Sequence, residues 1–93
     1  MTDASADDDG DEAPGALACD VLEYLAESLV DDVDSVVVES EDRRGGVALS
    51  LHVAPGDMGR VIGRRGRVAQ AIRTVVRAAG AREGIEASVD IVD

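Results

Sequence analysis

Residues 59–68 read GRVIGRRGRV, four arginines and three glycines in ten positions of a chain whose formal net charge is −11. Guanidinium groups are planar donors suited to phosphate oxygens. Glycines let a ligand come within contact distance of the main chain and supply backbone conformations closed to most other residues. Gly63 and Gly66 bracket Arg64 and Arg65, and Arg60 and Arg67 stand on either side. A helix expected to open just after Gly66 would add unpaired N–H groups and the positive end of its dipole. The chemistry this pattern can perform is capture of a run of phosphates. Other phosphate loops fit worse, because the dinucleotide fingerprint requires G-x-G and the P-loop requires Lys, and the chain contains neither.

The charge is partitioned along the chain. Residues 1–16 carry six acids and no base, residues 17–42 carry nine acids and no base, and residues 60–82 then carry seven arginines and no acid. Screening acts over about 8 Å at physiological ionic strength, so distant carboxylates do not cancel the field beside this island. Every basic residue is Arg.

The elements that must hold the island follow from apolar spacing. Residues 1–15 are an Asp/Ala/Gly tail without apolar periodicity, expected to be disordered, and its carboxylates either solubilise the chain or compete with a polyanion for the arginines. Leu17, Val21, Leu22, Leu25 and Leu29 mark one face of a helix reaching about Val30. SVVVES predicts a short strand, EDRRGG a hairpin turn, and GVALSLHV a second strand with Val47, Leu49, Leu51 and Val53 inward. DMGRVI predicts a short helical turn opening at Asp57. The longer helix after Gly66 should present Val68, Ile72, Val75, Val76 and Ala79 to the core and Arg67, Gln70, Arg73, Thr74 and Arg77 to the opposite side. On that side Arg73 and Arg77 read as a solvated face. Gly80 is the expected helix stop, and IEASVDIV a third strand with Ile85, Ala87, Val89 and Ile91 inward. The crossover between the second and third strands is long enough for parallel pairing. The fold class is therefore α+β: helix-strand-strand-helix-helix-strand, a three-stranded sheet with three helices on one face, spanning 16–93.

Several function classes fall away. There is no nucleophile–base pair, carboxylate dyad or metal cluster, so no catalytic residue, metal ligand or cofactor is expected. Cys19 is a lone helix thiol and His52 a lone imidazole on the polar side of a strand. No apolar run approaches a membrane span and the N-terminus lacks signal-peptide order, which leaves a soluble cytoplasmic protein as the expectation. Tyr24 is the sole aromatic, which disfavours modules that depend on base stacking.

VIGRRG followed by RVAQAI resembles the KH signature, hydrophobic-Ile-Gly-x-x-Gly-x-x-hydrophobic, and the element order is that of the type II, bacterial KH fold. The resemblance covers about residues 17–92 and extends to the small single-domain proteins of the KH-domain protein A family. It implies a non-catalytic protein that binds single-stranded RNA, an RNA chaperone or post-transcriptional regulator acting as a homodimer or with a larger KH-containing partner. In some bacteria the family is linked to cell shape and cell-wall homeostasis. It also implies that Gly63, Arg64, Arg65 and Gly66 hold the RNA backbone with Arg60 and Arg67 beside them, and that Gly59, Ile62 and Ala69 floor the groove that reads bases. Arg65 departs from the family pattern, where glycine or lysine is often found. The alternatives are a protein-interaction adaptor on a KH scaffold with little RNA affinity, in keeping with the net charge, and, more remotely, a nucleotide-phosphate enzyme fragment.

Overall fold

The computed structural model describes residues 14–92. The proposed acidic tail therefore lies outside the described residues, apart from Pro14 and Gly15. Helix α1 (Ala16–Leu29) leads into strand β1 (Val37–Arg43) and β2 (Gly46–His52); α2 (Met58–Ile62) and α3 (Arg67–Arg82) follow, and β3 (Glu86–Ile91) closes the order. The sheet order is β1-β2-β3, with β1 antiparallel and β3 parallel to the central β2. This is the α+β architecture and strand pairing of a type II KH fold.

Strand β2 fixes the core. Its residues alternate strictly, Val47, Leu49 and Leu51 buried and Ala48, Ser50 and His52 half-exposed, so one face of the sheet is apolar and must be covered. Parallel registration places Ala87 beside Val47 and Val89 beside Leu49. Ile72, Val76 and Ala79 of α3 cover this face with Ala18, Leu22 and Ala26 of α1. The uncovered edge strand β1 carries Glu39, Glu41, Asp42 and Arg43, charges that discourage pairing with another sheet.

Four expectations are corrected. The buried stripe of α1 runs through Ala18, Leu22 and Ala26, while Leu17 stands 38% exposed; the small alanines let the helix approach its neighbours closely, and the leucines flank the contact. Val75 of α3 is likewise exposed and lines, with Leu17, Val21 and Ala78, a shallow apolar groove between α1 and α3. The first strand extends to Arg43, and Arg44 and Gly45 alone make the hairpin turn. Gly80 does not stop α3. It lies inside the helix where the backbone presses on β3, and a Cβ there would come within 2.9 Å of the Ala87 Cβ. The stop is Gly84, at φ 78°, with Gly84 N–H donating to Ala81 O and Ile85 N–H to Gly80 O, the paired bonds of a Schellman cap. Cys19 is half-buried, and burial first, then Glu23 and Asp20, raise its thiol above the ordinary range.

Because Gly84 needs a left-handed backbone and has open space around its Cα, Gly84→Ala should cost about 1 kcal/mol through conformation alone. That corresponds to a fall of roughly 4–8 °C in melting temperature for a domain of this size. Gly84→Asn should avoid most of that loss, since Asn tolerates this conformation. Equal losses for both variants in thermal denaturation would contradict the assignment.

Candidate nucleic-acid interface

The reversal between α2 and α3 is forced by Gly63. Its φ of 77° and ψ of 172° are poorly accessible to other residues, and a Cβ there would lie 2.4 Å from Val68 Cγ2. The chain then makes one 3-10 turn, Arg64–Gly66, with Gly66 N–H donating to Gly63 O at 3.1 Å. Gly66 follows at φ 74° and caps α3 without a side-chain hydrogen bond. Between the glycines Arg65 is itself left-handed, at φ 58° and ψ 25°, the one non-glycine with positive φ among the described residues. That conformation costs an ordinary side chain about 1–2 kcal/mol.

Strain and sequence together leave the tip charged. Arg64, Arg65 and Arg67 are exposed, and none forms an ion pair with another described residue. Three guanidiniums within four positions repel one another, so the loop is electrostatically prepared for an anion. Arg60 is arranged differently. Its Nε lies 3.1 Å from Asp57 Oδ1 and its Nη2 donates to Asp31 Oδ2 at 3.0 Å.

Of the expected groove-floor residues, Gly59 is exposed and Ile62 half-buried, while Ala69 is only 3% exposed. Gly59 has neither positive φ nor any atom within 4 Å of where a Cβ would stand. Neither backbone conformation nor packing in the free protein requires glycine there. Arg73 departs from the solvated reading: it is half-buried and its Nε donates to Val89 O at 3.3 Å, against the free edge of β3.

The residue that sequence reasoning underrated is Asp57, which is 4% exposed. Its carboxylate accepts the N–H of Asp31 at 3.1 Å and of Asp32 at 3.0 Å, joining the end of α1 to the start of α2. A signal was present, since Asp57 is the only acid between Arg43 and Arg82.

A sequence model described as KhpA/KhpB, KH domain, matches residues 19–91, which include the whole of this loop and its flanking helices. The chain belongs to the KhpA/KhpB family of KH-domain proteins. It is 47% identical over 72 residues to the RNA-binding protein KhpA of Clostridium acetobutylicum, covering 77% of this chain and 96% of that protein. It is 49% identical over 74 residues to the protein of the same name from Streptomyces coelicolor, covering 80% and 90%. With that of Mycobacterium tuberculosis it shares 45% identity over 78 residues, 84% and 94% of the two chains. Gly63–Gly66, whose sequence reads G-x-x-G, lies within the matched residues.

No described residues form a group of three or more His, Cys, Asp or Glu able to hold a metal ion. His52 instead pairs with Glu39 at 3.1 Å on the outer face of the sheet.

The backbone N–H groups of Asp31 and Asp32 hold the Asp57 carboxyl below its ordinary value of 3.8, with Arg60 adding to the effect and burial opposing it. A depressed folded value means that this carboxylate stabilises the KH domain fully above 3.8 and loses its contribution as pH falls through the folded value. Asp57→Asn should therefore lower the melting temperature at pH 7 and reduce its fall below pH 4. Parallel pH profiles for variant and wild type would exclude the anchor.

Proposed function

We propose that this KH domain binds single-stranded RNA without catalysis, as an RNA chaperone or post-transcriptional regulator in the cytoplasm. Its G-x-x-G loop would hold the sugar–phosphate chain. The observation that carries the reading is the loop itself: three exposed guanidiniums without ion-pair partners among the described residues, on a backbone reversal that glycine alone permits, in a chain of net charge −11. A KH groove clamps about four nucleotides and reads unstacked bases. The relatives' names as RNA-binding proteins support the same ligand class. In this reading Arg64, Arg65 and Arg67 contact phosphates. Arg60, held by Asp57 and Asp31, orders the helix before the loop and contributes field more than contact. Ile62, Gly59 and Ala69 floor the groove.

Assembly as a homodimer or with a larger KH-containing protein belongs to the same reading. The surface formed by exposed Leu17 and Val75 with half-buried Val21 is the apolar area such a contact could cover. In accord with a soluble protein, no described helix is long and apolar enough to cross a membrane.

Reversing two loop charges should separate binding from stability. Arg64→Asp with Arg65→Asp should abolish binding of a labelled single-stranded RNA in fluorescence anisotropy while the melting temperature changes little, because both side chains are exposed. For wild type, about three phosphate contacts give a log–log salt slope near −2. Full RNA affinity in the folded double variant would remove the loop from the site. Absence of binding by wild type would favour the adaptor role.

Gly59 provides an independent check. Gly59→Ala relieves the helical penalty of glycine, so the free protein should gain up to about 1 kcal/mol. The added methyl fills space offered to a base, so RNA affinity should fall severalfold. Ala69→Asp should also weaken binding, by placing a charge beneath the groove. Gly59→Ala with higher stability and unaltered affinity would show that no ligand approaches this glycine.

A further inference from the structure

A second cationic cluster lies beside the middle of α3, away from the loop. Arg43 at the end of β1 and Arg44 of the hairpin turn, with Arg73 and Arg77 of α3, line a 330 Å³ cavity beside the start of β3. The turn is held there by backbone: Glu86 N–H donates to Gly45 O at 3.0 Å, and a Cβ on Gly46 would overlap the Glu86 carbonyl, at 1.9 Å. Four guanidiniums face one lining carboxylate, Glu86. Arg43 is partly offset by Glu41 at 3.3 Å. Arg44 and Arg77 are exposed and have no ion pair among the described residues. Arg73 and Arg77 stand four residues apart on one helix face, where like charges repel. An anion in this cavity would relieve that repulsion.

The cluster also has a defined position relative to the loop. Glu86 and Val92 donate their N–H groups to Gly45 of the turn and Leu51 of β2, so the alternate residues Ala87, Val89 and Ile91 turn their polar backbone atoms to the free edge. Arg73 reaches across this edge to Val89 O. Ala69, Arg73 and Arg77, each one turn after the last on α3, thus mark a line from the expected groove floor toward the hairpin turn. The helix from Arg67 to Arg77 covers roughly 15 Å at 1.5 Å per residue. A backbone leaving the loop along this face arrives at Arg44.

We propose that Arg43, Arg44, Arg73 and Arg77 form a phosphate-binding extension of the interface, engaging the single-stranded RNA backbone beyond the nucleotides clamped by the G-x-x-G groove. The inference rests on RNA being the ligand of that groove. It assigns a role to the hairpin turn, an element outside the loop and its two helices. The site prefers a continuous strand to an isolated anion because its charges continue the line of the first.

The test compares 5′-fluorescein-labelled single-stranded RNAs of four and ten nucleotides with the same repeating sequence, across a salt titration. Wild type should bind the ten-mer more tightly and with a steeper salt slope. Arg44→Gln with Arg77→Gln should weaken ten-mer binding about tenfold and make its slope shallower by about 1.4, two phosphates at roughly 0.7 each. The ratio of ten-mer to four-mer affinity should fall accordingly. In wild type, the ten-mer and not the four-mer should shift the backbone amide resonances of Arg44, Gly45 and Arg77, a readout independent of any variant. Unchanged ten-mer affinity and slope in the Arg44→Gln, Arg77→Gln protein, with binding lost in the Arg64→Asp, Arg65→Asp protein, would overturn the extension and leave the loop assignment standing. Equal losses for both lengths would place these arginines within the four-nucleotide groove, also against the proposal. Absence of wild-type binding to either length would remove the RNA reading and the extension together.

Discussion

A buried carboxylate organises the approach to the loop. Asp57 accepts two consecutive backbone amides, those of Asp31 and Asp32, and also meets Arg60. These contacts tie together segments more than twenty residues apart in sequence. A carboxylate can satisfy several donors at once, and removing it would leave half-buried N–H groups to find other partners. The direction of α2 depends on this junction, and the G-x-x-G segment begins where α2 ends. Arg60 completes the arrangement from inside α2, so a cation in the basic stretch serves the scaffold on which the other cations are displayed.

The features legible in the sequence were those in which one physical requirement dominates. Strand β2 alternates because its two faces meet different environments, and Val47, Leu49 and Leu51 are buried as that alternation requires. Ile72, Val76 and Ala79 follow for the same reason on α3. The loop glycines were legible because a sharp reversal between helices has few backbone solutions. Where two requirements compete at one residue type, sequence was a poorer guide. Alanine reports little about burial, so the Ala18 and Ala26 stripe was passed over for leucines that flank it. Glycine serves both as a helix stop and as a point of close approach, and Gly80, the expected stop, is instead the point of close approach, while Gly84 ends the helix. At the candidate site the exposed arginines were evident from their density, but neither the partners of Arg60 nor the contact of Arg73 with β3 has a local signature. Both join segments brought together by the sheet and its crossover.

The acidic composition bears on how a polyanion would meet such a surface. Glu39, Glu41 and Asp42 occupy the edge strand, and Glu86 and Asp90 are exposed on β3. Asp20, Glu23 and Glu27 are exposed on α1. Each region repels a phosphate chain within a screening length of about 8 Å, whereas the residues around the α2–α3 junction attract it. Net charge and local potential therefore have different roles. The former keeps the molecule soluble and discourages indiscriminate contact with nucleic acid. The latter selects the orientation of encounter. An excess of acids is compatible with an anionic ligand provided that the bases are concentrated, and here seven of the nine arginines fall between residues 60 and 82.

Concentrating charge on a tight reversal has a conformational consequence. A flexible arginine-rich segment would lose backbone entropy on binding, and that loss would subtract from affinity. Here the reversal is already determined: Val68 fills the space against Gly63, and α3 begins immediately after Gly66. Arg65 is held between these constraints in a left-handed conformation that it would seldom adopt in a free chain. The strain and the mutual repulsion of neighbouring guanidiniums are thus offset by folding, chiefly by the packing that surrounds the junction. A ligand arriving afterwards meets donors whose backbone is already placed. The side chain of Arg65 adds a planar donor to a turn whose backbone is already fixed. Stability given up locally is returned as order in the free state, so a polyanion engaging the loop would not have to organise it first.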